Sequence, residues 1–480
     1  MKLLYKVSIL FFALFLVSCK KDLEEINTNP NAPTDAFPGL ILRKVIYDYG
    51  EQMSYEGFVA GNLLGQYTTQ VDFNLFDRHS LSEPQFGGNP WPFIYANLRD
   101  NDIIINKAKS NKNFEVYQGP ALILKAYMTA ALTDIYGDVP YFNALQGANG
   151  NTAPKYDQQE DIYLAENGIL DNLSKAIELL TNYEGSQALE GDILFNGDLT
   201  AWIRFANSLK IKYLMRISLK QDVSSELQAI FDADNFINDN SQNATFSFTD
   251  GQPNNFRMAT LREGDFNLYV LSKTMNEILT KYNDNRLATF YRPTATDATN
   301  FNGLLNGQNA SETSISVADY SLTGNVFREN TSVLEANFMT AWETKLFLAE
   351  AAEKGLITAN AKSLYDEGVE LSFNYWKTEI PATYLTTDSA SYGAFGANKI
   401  EQIITQKWIS NTINGFEGWI EFRRTGFPNL LPVAASLNND LYPFKMPYPS
   451  DEEALNSVNF YQIISNNGNS INQKVWWDAN

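Results

Sequence analysis

Apolar residues recur at spacings of three and four along most of the chain after residue 37, which is the pattern of amphipathic helices. A sustained alternation of strands with helices is absent, so the pattern predicts an all-α fold with minor β-structure over residues 37–480, as a single domain. In the segment that begins at Trp202, apolar side chains share one helical face, and the opposite face carries Arg204, Lys210, Lys212 and Arg216. The predicted helices cover residues 40–69, 93–109, 118–136, 160–182, 199–220, 267–282, 338–354, 360–377 and 399–411.

Three irregular stretches interrupt this helical pattern. They cover Thr68–Pro92, 233–266 and 284–335, and the two longer ones are rich in Asn, Thr, Ser, Gly and Asp. Long irregular segments inside a helical body are usually functional loops. We therefore expect these stretches to carry a binding site.

Two features predict how the helices pack. Residues 338–354 and 360–377 are joined by a short turn and combine small with large apolar residues, which is typical of a tetratricopeptide-type helical hairpin. In the first helix, Gly57, Gly61 and Gly65 lie four residues apart and would allow another backbone to approach closely.

The N-terminus carries the only cysteine, Cys19. It follows a basic start and an apolar run from Val7 to Val17 that is too short for a bilayer span. The run Leu-Val-Ser-Cys that ends at Cys19 resembles the bacterial lipobox, so we expect cleavage after residue 18 and acylation of the thiol and the new amine. Residues 1–18 are then a signal peptide and residues 19–36 a lipidated tether. The alternative is an ordinary secretory signal with an incidental cysteine.

The charge and cysteine content narrow the range of partners and cofactors. Removing residues 1–18 takes away Lys2 and Lys6 and changes the formal charge from −20 to −22, which disfavours nucleic acid and anionic lipid. With Cys19 acylated, no disulfide or cysteine zinc site can form within one chain. We expect neutral ligands, no cofactor, and membrane contact through the lipid anchor alone.

Candidate catalytic groups are few. His79 is the only histidine, and no phosphate-binding glycine loop occurs. The best carboxylate pair for glycoside hydrolysis is Asp134 and Asp138 in the motif TDIYGDVPY. A structural interpretation is simpler, because Gly137 can end a helix and Pro140 can prevent its continuation.

The same motif begins a resemblance to the SusD/RagB family of nutrient-binding outer-membrane lipoproteins. Five further blocks follow in family order. They are WIRFANSLKIKYLMRIS from Trp202, AWETKLFLAEAAEKG from Ala341, YDEGVELSFNYW from Tyr365, IITQKWISNTINGFEGWIEFRRTGFP from Ile403 and MPYPSDEEALNSVNF from Met446. Most of these blocks also have a structural explanation, in which Arg423 and Arg424 are either buried hydrogen-bond donors or part of a solvated face.

The resemblance implies a SusD-like helical fold with tetratricopeptide-type pairs and a function in binding, not catalysis. It implies an outer-membrane lipoprotein that faces the cell exterior and delivers an oligosaccharide, or an oligopeptide, to a SusC-like TonB-dependent transporter. The acidic residues Asp22, Glu24 and Glu25 resemble the export signals of surface lipoproteins. The alternatives are a cell-surface glycoside hydrolase and a scaffold lipoprotein without its own ligand.

Within the first irregular stretch, aromatic and polar side chains concentrate in a few positions. We expect ligand contacts from Phe76, Asp77, Arg78, His79 and Trp91, because rings can stack on sugars and polar groups can bind hydroxyls. Phe76 is the principal candidate for stacking, since its neighbours are polar. For Trp91 the alternative is that it starts the next helix and packs inward with Tyr95.

Overall fold

The computed structural model describes residues 36–81, 87–312, 314–329, 334–465 and 468–479. The predicted signal peptide, Cys19 and nearly all of the tether lie outside these residues. The chain is mostly helical, as predicted. The helices are α1 (Pro38–Glu56), α2 (Asn62–Leu64), α3 (Trp91–Ser110), α4 (Gln118–Tyr136), α5 (Gln159–Leu164), α6 (Ile169–Thr181), α7 (Leu199–Ile217), α8 (Ser224–Ala233), α9 (Glu263–Phe266), α10 (Lys273–Tyr282), α11 (Arg286–Phe290), α12 (Ala341–Glu353), α13 (Ala361–Tyr375), α14 (Lys399–Ser410), α15 (Glu417–Thr425), α16 (Ser450–Leu455) and α17 (Ser457–Ile464).

Local sequence explains several helix ends. Helix α7 begins after Asp198 because that side chain accepts hydrogen bonds from two backbone N–H groups of the first turn. Helix α4 ends at Gly137, which adopts a φ of 81°, as the TDIYGDVPY motif predicts. None of the helices in the described segments is long and apolar enough to span a bilayer.

Helices that follow one another in the sequence mostly pack against one another. Helices α3, α4, α6 and α7 contact each other in succession, and α12 packs against α13 as the predicted hairpin. Gly368 makes that hairpin tight, because a Cβ added there would lie 2.8 Å from Leu346 Cγ. One cluster of buried apolar side chains extends from Leu42 to Trp477.

The close backbone approach predicted for the first helix is present at two of its three glycines. A π-helical turn, Gly57–Gly61, separates α1 from α2. A Cβ added to Gly61 would lie 2.0 Å from the carbonyl oxygen of Gly415, and one added to Gly57 would lie 2.6 Å from that of Ile413. Gly65 instead faces the ring of Tyr67.

The predicted helix over residues 267–282 is wrong in its first part. Tyr269–Leu271 forms strand β3, which pairs antiparallel with β1 (Thr68–Gln70), and helix α10 begins only at Lys273. All three residues of β3 are buried, and a short apolar run of this kind fits a buried strand as well as a helix. The second sheet pairs β2 (Ala244–Ser247) with β4 (Glu335–Met339), also antiparallel.

The polar face predicted for α7 is not wholly solvated, which corrects the sequence interpretation. Lys212 and Arg216 are buried among the carboxylates of other helices. Lys212 Nζ lies 2.9 Å from Glu343 and from Glu417, and Arg216 Nη2 lies 2.8 Å from Glu417. Buried charges of this kind persist because each one has a partner.

Candidate functional site

The structure brings the first and third irregular stretches together around one buried carboxylate. Asp77 accepts hydrogen bonds from the Thr69 hydroxyl at 2.6 Å, the Asn306 side-chain amide at 2.7 Å and the Gly307 N–H at 2.7 Å. Burial raises the pKa of Asp77 to about 6, although these hydrogen bonds act in the opposite direction. Asp77 therefore joins two loops that are more than 200 residues apart.

Arg78 and His79, which follow Asp77, contact the C-terminal part of the chain. Arg78 is half-buried, and its Nε donates to the carbonyl of Ala435 at 2.8 Å. His79 is buried, with its ring edge-on to Tyr442 at 5.4 Å. Burial lowers the pKa of His79 to about 4, so the imidazole is neutral at pH 7.

The two aromatic candidates are also buried. Phe76 is 7% exposed, and its ring packs so closely on Gly88 that an added Cβ would lie 2.4 Å from it. Trp91 is the first residue of α3 and lies 5.0 Å from the ring of Tyr95, which confirms the inward-packing alternative. The expectation of an accessible Phe76 platform is corrected accordingly, because in the described part of this loop the exposed apolar side chains are Phe73 and Leu75.

A recess suited to a ligand opens beside these loops, where the third irregular stretch meets the end of α13. This loop cleft has a volume of about 440 Å³. That size is within the usual range of ligand-binding clefts. Its aromatic, polar and charged lining consists of Thr289, Tyr291, Arg292, Asn325, Tyr375, Trp376 and Lys377.

The cleft is held in shape from several sides. Gly324 allows one rim to dock on α11, since an added Cβ would lie 2.6 Å from the carbonyl oxygen of Thr289. The Tyr291 hydroxyl donates to the carbonyl of Tyr67 at 2.7 Å, which links the cleft to the residue that precedes the first stretch. Trp376 packs edge-on against Phe290 at 4.8 Å.

The polar groups of the cleft have unused hydrogen-bonding capacity. The indole N–H of Trp376 is buried and has no acceptor among the described residues. Asn325 is exposed at the rim, and Arg292 donates through Nε to the carbonyl of Thr323 at 3.0 Å. Because the indole N–H is enclosed, the groups that a ligand in the cleft can contact are the half-buried ring of Tyr375 and the side chains of Asn325 and Arg292.

A larger groove lies among the helices near α3, α4 and α6. It has a volume of about 620 Å³ and carries many charged side chains, among them Lys109, Glu115, Lys175 and Glu178. Its aromatic side chain is Tyr183, whose hydroxyl donates to Gln187 at 2.7 Å. The loop cleft has three aromatic residues and fewer charges, and it therefore suits a neutral sugar better.

The carboxylate pair considered for hydrolysis does not form an open site. Asp134 is 1% exposed and accepts hydrogen bonds from the Tyr163 hydroxyl and the Trp477 indole, each at 2.7 Å. Burial raises the pKa of Asp134, which Arg216 and Tyr163 partly oppose. Asp138 accepts from the backbone N–H of Gln159 at 2.8 Å and holds the turn.

The helical pattern over residues 360–377 includes Tyr375 and Trp376 and did not predict either as part of a site. The available signal was their place at the end of α13, next to an irregular stretch. That position alone does not separate a core residue from a ligand contact.

Comparison with known proteins agrees with this fold. The sequence model of the SusD-like family described as "Starch-binding associating with outer membrane" matches residues 30–449. No curated protein shows significant sequence similarity to the chain.

Several solved structures share the fold over nearly their whole length. A SusD homologue from Bacteroides fragilis has a TM-score of 0.79 and 25% identity, and the match covers 92% of this chain and 99% of that one. A chitin-binding protein has a TM-score of 0.79 and 24% identity, with 92% and 100% covered. A chitin-binding SusD homologue from Flavobacterium johnsoniae has a TM-score of 0.75 and 22% identity, with 92% and 97% covered. The chain therefore belongs to the SusD-like family of starch-binding proteins that associate with the outer membrane.

Proposed function

We propose that this protein captures an oligosaccharide in the loop cleft and delivers it to a SusC-like TonB-dependent transporter. A lipid on Cys19 holds it to the outer membrane, with the body facing the cell exterior. The buried residues 76, 77 and 79 support the loops beside the cleft, while Arg78 links them to residue 435.

The observation that carries this proposal is an open cleft of about 440 Å³, formed in part by an irregular stretch, whose lining includes the half-buried ring of Tyr375 and the exposed side chain of Asn325. A sugar ring can pack against Tyr375, and Asn325 and Arg292 can bind neighbouring hydroxyls. A binding role also agrees with the enclosure of Asp134, which removes the best local carboxylate pair from the hydrolase alternative.

The ligand class is tested with full-length protein purified in mild detergent. We expect calorimetric titration to detect maltoheptaose or chitohexaose, and chromatography to recover the bound sugar intact. Cleaved sugar would support the hydrolase instead. If the protein binds tripeptides from a panel but neither sugar, the result would indicate oligopeptide capture. If it binds neither class of ligand, the result would favour a scaffold lipoprotein without its own ligand.

Variants of Tyr375 test the position of the site. We expect Tyr375→Ala to lower affinity by about 1 to 2 kcal/mol because an aromatic contact with the sugar is lost. Tyr375→Phe keeps the ring and removes only the hydroxyl, which donates to Asn337, so its loss of affinity should be smaller. The matched control is Tyr183→Ala in the helical groove, which should bind like wild type; a loss there but not at Tyr375 would move the site to that groove.

The anchor and the transporter are tested in the native membrane. Wild-type protein should incorporate a fatty-acid label and copurify in mild detergent with a large TonB-dependent outer-membrane protein. Cys19→Ala should carry no label and leave the membrane fraction, because Cys19 supplies the only thiol. A labelled Ala variant would contradict the anchor, and repeated absence of the large protein would contradict the transporter complex.

A further inference from the structure

Apart from the loop cleft and the helical groove, a further cavity lies between the end of α4 and the C-terminal segment. It shares no lining residue with the loop cleft. It has a volume of about 280 Å³. The lining residues that bear on its chemistry are Asp138, Lys445, Tyr448, Gln473, Lys474 and Trp476. We call it the Lys445 cavity.

Lys445 is the unusual group of this cavity. Its side chain is buried, with the residue 4% exposed, and no carboxylate oxygen in the described segments lies within 4.0 Å of its Nζ. Its Nζ lies over the ring of Tyr448, 3.9 Å from the ring centroid. Each of the other most deeply buried lysines, Lys212 and Lys407, has a carboxylate within 3 Å.

The surrounding backbone fixes this cation in place. The N–H of Met446 donates to the carbonyl of Ile135 at 2.9 Å, and the Tyr448 hydroxyl donates to the carbonyl of Asp138 at 2.8 Å. The side chain of Asn469 hydrogen-bonds both the N–H and the carbonyl of Tyr448. Lys445 therefore lies on a cavity wall that is already ordered.

Burial without a paired carboxylate is costly for a lysine. Burial lowers the pKa of Lys445 to about 8, and the negative charge of Asp138 acts in the opposite direction. The side chain is therefore still mainly protonated at pH 7. An incoming anion would gain a charge-assisted hydrogen bond at a site where water has been largely removed.

The other lining residues indicate which chemical groups the ligand has besides its anionic group. The half-buried ring of Trp476 offers an apolar face, while Gln473 and the carboxylate of Asp138 can bind hydroxyl groups. The volume is close to the lower end of ligand-binding sites, roughly 300 Å³, which fits one ring and not a long chain. Lys474 also lines the cavity, but its Nζ lies 3.8 Å from the carboxylate of Asp478, so its charge is partly neutralised.

We propose that the Lys445 cavity binds the carboxylate of an acidic sugar unit, with Lys445 as its counter-ion and the ring of Trp476 against the sugar ring. This proposal is independent of the loop cleft, so neutral-sugar binding there neither supports nor contradicts it.

The test uses full-length protein in mild detergent and two probes that differ in one group, methyl β-D-glucuronide and methyl β-D-glucoside. We expect calorimetry or ligand-observed NMR to show at least tenfold tighter binding of the glucuronide. Lys445→Met should remove that preference, whereas Lys445→Arg should keep most of it. Equal binding of the two glycosides to wild type would overturn the proposal, even if Lys445→Met failed to fold.

Controls separate the cavity from general charge effects. Lys220→Met removes an exposed lysine on another part of the surface and should retain the wild-type preference. Inorganic phosphate should compete poorly, because it lacks the ring. Phosphate that binds as tightly as the glucuronide would identify a small-anion site and overturn the assignment to a sugar acid.

Discussion

Replacing Arg424 by methionine is expected to lower the free energy of unfolding by about 3 to 5 kcal/mol, because the change leaves buried carboxylates without their main counter-charge. Arg424 is 1% exposed and spans two helices. Its guanidinium lies 2.6 Å from Glu350 on α12 and 2.7 Å from Glu421 on α15. In the variant, Lys407 becomes the main fully buried cation for the carboxylates of Glu350 and Glu421. Its Nζ lies 2.6 Å from Glu421.

The pH dependence of this effect follows from Glu350. Burial by itself raises its pKa, but the charges of Arg424, Lys407 and Lys354 outweigh burial and hold the pKa at about 2. In wild type, the stabilisation is present above the unfolded pKa of 4.5 and is lost as pH falls towards 2. Without Arg424 the carboxyl protonates at a higher pH than in wild type, so the difference in stability should shrink as pH falls towards 2.

Urea unfolding at several pH values measures both effects. The matched control is Arg262→Met, which removes an arginine whose side chain is 80% exposed and paired with Asp265. We expect no measurable change there, since exposed ion pairs contribute little. An Arg424→Met variant as stable as wild type, or a difference that stays constant with pH, would contradict the assigned role of the network.

Much of the fold is predictable from sequence because amphipathic spacing reflects which face of a helix is buried. The ranges of α3, α4 and α14 agree with prediction to within a few residues, and TDIYGDVPY ends α4 as expected. Short helices such as α15 were missed. There Arg423 and Arg424 give a charged pattern that resembles a surface, yet both are buried, which confirms the buried-donor interpretation.

The site was less predictable, because burial depends on contacts that are distant in sequence. Polar neighbours made Phe76 look exposed, but Asp77 is buried through Asn306 and Gly307, which lie about 230 residues away. Tyr375 had the opposite ambiguity, since a helix end can present a ring to the core or to a cleft. Local composition located the loops that matter but did not show which side chains face a ligand.

The variant Phe76→Ala tests whether the Phe76 ring belongs to the core or to a ligand site. We expect it to lower the free energy of unfolding by about 3 to 5 kcal/mol, as removal of a buried Phe leaves a cavity. Phe73→Ala is the matched control, because that ring is three residues away and 57% exposed, and its loss should barely change stability. Urea unfolding of both variants, beside titration with maltoheptaose or chitohexaose, separates the two roles. A Phe76→Ala protein that keeps wild-type stability but loses sugar affinity would restore Phe76 as a stacking platform and contradict its place in the core.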